Sequence, residues 1–377
     1  MKIGIDCRLY SSRFTGIGRY TNELVDHITK INDEHKRTHE IVLFFNQPEY
    51  QNFIPPNPAV KKVLVNAPHY SLKEQTKFLK ALNKENCSMV HFPHFNVPNF
   101  YRKPYIVTIH DLTLSLFPGR KMTKWYHRLA YHFTIKNAVK KAKKVIAVSK
   151  NTKEDIISHL KIPAEKIEVI YNGINPQFHI IEDLKEVEKT LKKYDIKKDF
   201  LLYTGVWRNH KNLTGLIEAF NILKNEKQID INLVITGNPD PIYPEVLQTI
   251  KALNLEKDII LPGLVSEQEL VHLYNGAKIY VFPSFYEGFG LPPIEAMRCG
   301  TPVAASNTSS IPEICGEENA VYFNPHIPQD IAEKIEMLYK NVDLQAGLIW
   351  KGMHHSQRFS WEAMARHTYE VITQKYV

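Results

Sequence analysis

Cysteine is scarce in this chain: four among 377 residues, Cys7, Cys87, Cys299 and Cys315, with no C-x-x-C pair. That scatter excludes a zinc framework and a disulfide scaffold, and predicts reduced structural thiols. Long apolar runs are also missing. None approaches the roughly 20 residues a membrane-spanning helix needs, and Met1 to Asp6 leads straight into a strand pattern with no signal-peptide architecture before it. The expectation is a soluble, cytoplasmic chain, at most peripheral at the inner face of a membrane. No D-x-D sequence occurs that would point to a divalent cation bridging a diphosphate, so no metal is expected. Aromatic-interleaved basic motifs and a helix-turn-helix pattern are absent too, which argues against nucleic acid as a partner.

What is present is ordinary globular material, 44% hydrophobic and 23% charged, too apolar and too rich in Tyr and Phe to be disordered. The net charge of +8 is uneven. Residues 1–180 carry +14 and the remainder −6, so the basic half could attract nucleic acid, an anionic membrane surface or a phosphorylated substrate. The Lys-rich segment from Lys136 to Lys150 is ordinarily a solvated helix face. In the basic half it also suggests peripheral attachment to an anionic membrane.

Short runs rich in Val, Ile and Phe alternate with helical periodicity. Seven such runs lie between Lys2 and Tyr171 and six between Phe200 and Phe323, separated by a linker-like Lys/Glu-rich stretch from Ile181 to Lys198. This βα repetition predicts an α/β chain with two doubly wound parallel sheets. The boundary is expected near Asn172 to Phe178, giving domains 1–175 and 176–360. Ligands of such sheets bind beyond the carboxyl ends of the strands, so two facing domains would enclose a cleft.

The sharpest motif runs from Glu287 to Glu295 after the predicted strand Ile279 to Pro283: Glu287, Gly288, Phe289, Gly290, Leu291, Pro292, Pro293, Ile294, Glu295. Gly288 and Gly290 permit positive φ, the prolines suit a first helical turn and Gly300 suits its end. A loop opening onto a helix N-terminus is an anion site, here flanked by two carboxylates able to hold hydroxyls. Gly16 and Gly18 belong to a G-x-G-x-x-T register without the third glycine, weak as a nicotinamide site and compatible with an N–H-rich loop opening a helix.

The Glu287 to Glu295 string resembles the E-x(7)-E signature of retaining glycosyltransferases of the GT-B architecture, in particular glycosyltransferase family four. The resemblance extends over nearly the whole chain, through Gly16 to Tyr20, His110-Asp111, Val145 to Lys150, Val169 to Gly173, Tyr203 to Gly205, Lys211 to Leu213 and Phe359 to Trp361. It implies two Rossmann-like domains facing across a cleft, the first on the acceptor side, the second binding the donor. A closing helix, 361–377, would pack back on the first domain. It also implies a donor site made of Gly16, Gly18, Gly205, Arg208, Lys211, Glu287, Gly288, Phe289, Gly290, Leu291 and Glu295, with His110, Glu287 and Lys211 at the reaction centre. Val206 stands where the family usually has a diphosphate-binding arginine, which leaves Arg208 as the substitute. Asp111 either orients the acceptor or caps the next segment.

Within the family the pattern is similar to bacterial mannosyltransferases of surface-polysaccharide and lipopolysaccharide assembly. That implies metal-independent, retaining transfer of a hexose. Mannose from GDP-mannose is the first choice, and UDP-glucose or a UDP-hexosamine the second. The implied acceptor is a saccharide or a polyprenyl-diphosphate-linked sugar. A protein that binds nucleotide sugars without catalysis would keep the same donor residues.

Overall fold

The computed structural model describes residues 1–11, 15–117, 119 and 125–374. Among them the chain divides into two units. The first comprises residues 1–115, 125–173 and 360–374; the second is Ile174–Phe359 with a short stretch after Ser115.

The first unit holds seven strands: β1 (Lys2–Asp6), β2 (Glu40–Phe45), β3 (Val60–Leu64), β4 (Met89–Phe92), β5 (Tyr105–Ile109), β6 (Lys144–Ala147) and β7 (Ile167–Val169). All neighbours pair in parallel, in the order β3-β2-β1-β4-β5-β6-β7. The second unit repeats the plan with β8 (Phe200–Tyr203), β9 (Asn232–Thr236), β10 (Ile259–Gly263), β11 (Ile279–Phe282), β12 (Val303–Ser306) and β13 (Val321–Phe323), ordered β10-β9-β8-β11-β12-β13 and again parallel throughout. Each strand the hydrophobic runs predict is there, and the chain is a GT-B-type pair of Rossmann-like sheets. The central strands are covered on both faces, so they read as unbroken apolar stretches rather than alternating ones: every residue of β4, β5, β8, β9, β11 and β12 is buried.

The order reverses once in each sheet, between β1 and β4 and between β8 and β11. At these points the connections leave in opposite directions and open a crevice at the carboxyl ends.

Two sequence expectations are refined. The stretch from Ile181 to Lys198 is not simply a linker, because it contains the helix Lys185–Lys193. That helix packs on Glu267–Gly276 through a hydrogen bond between Thr190 Oγ1 and His272 Nδ1 (2.7 Å). Its charged residues face water while Val187 and Thr190 turn inward, an amphipathic pattern that composition conceals. The closing helix, Trp361–Thr373, starts at Ser360, whose hydroxyl accepts from Ala363 N. It lies along Thr15–Glu34, held by Tyr369 Oη donating to Asn32 Oδ1 and by Arg366 reaching Glu34. The four cysteines are buried and unpaired. Among the described residues, no helix is long and apolar enough to cross a membrane.

Candidate functional site

The reversal between β8 and β11 brings two loops together in the second unit. From β8 come Gly205, with φ of 144°, and a short turn Asn209–Lys211. From β11 comes the segment beginning at Glu287. Lys211 Nζ meets Glu287 Oε1 at 2.6 Å, and both side chains are largely buried, 16% and 13% exposed. Lys211 thus stands over the crevice with a carboxylate holding its position. The loop beneath is pinned by a pair of serines that the sequence reading did not single out. Glu287 N donates to Ser309 Oγ (3.0 Å), and Ser310 Oγ donates to the carbonyls of Glu287 and Phe289. No motif marks them; they are legible only once β12 is placed beside β11.

Gly290 caps the helix Leu291–Arg298 at φ 97° and ψ 67°, a conformation that disfavours any side chain. Its next two residues after Leu291 are prolines and carry no N–H. What this helix start offers an anion is therefore its positive dipole end together with the N–H of Leu291, rather than a full turn of donors. The other members of the motif turn inward. Phe289 packs edge-on against Phe359 at 5.7 Å. Glu295 is 3% exposed and accepts from Tyr274 Oη at 3.2 Å. Tyr274 shares Thr204 Oγ1 with Tyr280, and burial pushes both phenols well above their usual range. Glu295 is thus tied to a buried hydroxyl network behind the crevice. Arg208 is exposed, between the buried Trp207 and the turn that carries Lys211; Val206 on the other side of Trp207 is exposed as well.

In the first unit, His110 follows β5. Its Nε2 lies 2.8 Å from the Pro93 carbonyl, and its ring packs edge-on against Tyr20 at 4.8 Å. A carbonyl can only accept, so Nε2 carries the proton. Burial lowers the His110 pKa, which favours the neutral ring and leaves a lone pair on Nδ1. That is an acceptor suited to orienting a hydroxyl. Asp111 Oδ1 accepts from Thr113 N (2.8 Å), capping the short helix Thr113–Leu116. Gly16 and Gly18 lie in the first turn of the helix Thr15–Glu34. A Cβ on Gly16 would meet nothing within 4 Å, whereas one on Gly18 would sit 2.0 Å from the Ser11 carbonyl oxygen, so Gly18 serves a close backbone approach. Residues 12–14, just before them, lie outside the described residues.

Sequence reasoning missed a buried ionic cluster where β1 and β4 diverge. Arg8, fully buried, bridges Asp6 (2.8 Å) and Glu74 (3.0 Å), donates to the Asn96 carbonyl and lies 3.9 Å over the Phe78 ring. Asp6 at the end of the first strand and Arg8 two residues beyond it were the available signal, because charged residues rarely sit against a buried strand without a partner. On β4, paired with Ile5, His91 is completely buried with Nε2 2.8 Å from Thr108 Oγ1, which Tyr20 Oη also meets. Burial, with a smaller electrostatic contribution from the neighbouring His110, drives its pKa down to about 3. An unfolded histidine binds its proton near pH 6.5, so acid favours the unfolded chain. Stability should fall as pH drops below about 6.5, with His91 contributing about 1.4 kcal/mol per pH unit. Urea unfolding from pH 7 to pH 5 checks this, and His91→Asn should flatten the slope.

Among the described residues no group of three or more His, Cys, Asp or Glu is placed to hold a metal ion.

Comparison with known proteins agrees with this architecture. The Glycosyltransferase Family 4 model matches residues 14–178, and the model for Glycosyl transferases group 1 matches residues 186–353. The chain is 28% identical over 369 residues to the O-antigen chain mannosyltransferase B of Escherichia coli, covering 92% of this chain and 93% of that protein. It is 32% identical over 237 residues to the serotype-specific mannosyltransferase WbdA of Escherichia coli, 62% of this chain but 29% of WbdA. The chain therefore spans under a third of the WbdA proteins it matches. Among solved structures, Anabaena HepE in complex with UDP-glucose superposes with a TM-score of 0.77 at 18% identity, over 99% of both chains. That similarity speaks to the fold.

Proposed function

We propose, from the premise that this chain belongs to the glycosyltransferases, a family 4 domain followed by a group 1 domain, that it transfers a hexose from a nucleotide sugar during polysaccharide assembly. The donor in this reading is GDP-mannose, the acceptor a saccharide or a polyprenyl-diphosphate-linked sugar, and the anomeric configuration is retained. Relatives named as mannosyltransferases support the sugar, and two of them, named as O-antigen chain mannosyltransferases, support the process. The observation that carries the chemistry is the Lys211–Glu287 pair at the reversal between β8 and β11, beside the N-terminus of Leu291–Arg298.

Departure of a nucleoside diphosphate builds negative charge on its phosphate. A fixed ammonium and a helix dipole stabilise that charge more in the transition state than before it. Lys211 and the helix start fill this role, with Arg208 at the rim as a second cation, so no metal is required. Glu287 holds sugar hydroxyls while anchoring Lys211. No carboxylate of the crevice is assigned as a nucleophile. Retention then follows a front-face course in which the leaving phosphate accepts the proton of the acceptor hydroxyl.

Thermal shift with GDP, UDP and ADP tests the donor. GDP should stabilise the chain by about 2.7 kcal/mol at a hundred times its dissociation constant, and UDP should not. Stabilisation by UDP alone would reassign the donor to UDP-glucose or a UDP-hexosamine. Radiolabelled GDP-mannose and candidate acceptors separate a transferase from a non-catalytic binder: binding without transfer to any lipid-linked or saccharide acceptor would favour the latter.

A further inference from the structure

Four buried polar side chains of the second unit form one line. Tyr280 lies on β11, Thr204 directly follows β8, Tyr274 belongs to the helix Glu267–Gly276 and Glu295 to the helix Leu291–Arg298. Tyr280 Oη is 3.1 Å from Thr204 Oγ1, Thr204 Oγ1 is 3.0 Å from Tyr274 Oη, and Tyr274 Oη is 3.2 Å from Glu295 Oε2. None of the four is more than 5% exposed. Their chemistry fixes the direction of every proton. A carboxylate can only accept, so Tyr274 directs its one hydroxyl proton at Glu295 and accepts from Thr204. Thr204, its own proton engaged, accepts from Tyr280. All three protons thus point toward the carboxylate, and each bond polarises the next. Burial holds both phenols well above their usual range, so they stay protonated donors at neutral pH. The Tyr274 ring packs edge-on against Phe178 and Tyr280, at 5.9 and 5.4 Å, which leaves it little freedom.

We infer that Tyr274, polarised through Thr204 by Tyr280, is a positioning residue that fixes the Glu295 carboxylate for the ribose hydroxyls of the nucleoside diphosphate. This rests on the donor site proposed above and extends it to three residues that no motif marks. Glu287 is engaged with Lys211 and takes the transferred sugar in that reading, which leaves Glu295, at the other end of the motif, as the acceptor for a vicinal diol. A glutamate side chain turns about several bonds, and ordering it at the moment of binding lowers affinity. The hydroxyl chain removes that freedom before the nucleotide arrives. A line of side chains that served packing alone would have no need of a common proton direction or of a carboxylate at its end. Apolar residues of the same shape would fill that space without desolvating a charge.

Calorimetry with ligand pairs that differ only in the ribose tests this: GDP against dideoxy-GDP, and UDP against dideoxy-UDP. For whichever base the full chain binds, the ribose form should bind about tenfold or more tighter than its dideoxy analogue. Tyr274→Phe keeps the ring and removes the hydroxyl. It should bind the ribose form about tenfold more weakly and the dideoxy form as the wild type does, so the preference collapses. In transfer assays its donor KM should rise about tenfold, with kcat within about twofold of the wild type. Thr204→Val breaks the chain without touching Tyr274 or Glu295, should lose about threefold in the preference, and keeps the test decisive if Tyr274→Phe unfolds. Retention of the wild-type preference by either variant overturns the inference. Equal weakening of both forms in Tyr274→Phe does so too, because it shows a role in packing alone, as does a wild type that binds ribose and dideoxy forms alike. A wild type that binds neither GDP nor UDP overturns the donor reading as well, which separates the two failures.

Discussion

Glu287→Ala should lower the rate of sugar transfer by about a hundredfold to a thousandfold, the cost typical of removing one preorganised group from a charged transition state. The physical reason is a double loss. The carboxylate that would hold the sugar is gone, and Lys211, 16% exposed and 2.6 Å from it, loses the partner that fixes it where the proposed diphosphate would sit. Lys211→Ala should cost a similar amount. Because each residue positions the other, the two losses should not add; the double variant should fall short of the sum by about 1–3 kcal/mol. Steady-state transfer at saturating donor, with melting temperatures as the control for folding, reads all three variants. If Glu287→Ala transfers sugar as fast as the wild type, the crevice between β8 and β11 is not the reaction centre.

Arg8→Met should destabilise the chain by about 3–5 kcal/mol, because it leaves the buried carboxylates of Asp6 and Glu74 without their cation. Burial already raises the Glu74 pKa against the pull of Arg8, and losing the guanidinium raises it further. A carboxyl whose folded pKa exceeds its unfolded value contributes stability that is fully present below the unfolded pKa. That contribution disappears as pH rises through the folded value. The gap between wild type and Arg8→Met should therefore be wider at pH 8 than at pH 5. The wild type loses stability toward acid through three histidines that burial lowers to about 3, His69, His91 and His94, so the comparison is made as a difference at each pH. Unfolding free energies from urea titration that differ by less than about 0.5 kcal/mol, within the range of ordinary surface substitutions, would show that the cluster does not hold the β1 and β4 ends together.

The thirteen strands were legible because a parallel sheet covered on both faces demands short, continuous runs of β-branched and aromatic residues, and such runs stand out without any tertiary information. The loop after β11 was legible for a related reason: two glycines, two prolines and two glutamates within nine residues satisfy several backbone and charge requirements at once. The helix Lys185–Lys193 was not, since two inward-facing residues in nine leave a composition that reads as solvated linker. Asp6, Arg8 and Glu74 escaped because their partnership spans 66 residues, and no local pattern encodes a contact at that separation.

Residue types and spacing alone determined the α/β class, the two sheets, the uneven charge and the family resemblance carried by Glu287 to Glu295. Only the tertiary structure decided where Glu287, Phe289 and Glu295 of that motif sit. Chain reversal between β8 and β11 sets Lys211 against Glu287, while burial ties Glu295 to Tyr274 and packs Phe289 against Phe359. Spacing along a chain records which residues travel together. Which of them face one crevice depends on strand order, and strand order is set by long-range pairing that no single segment contains.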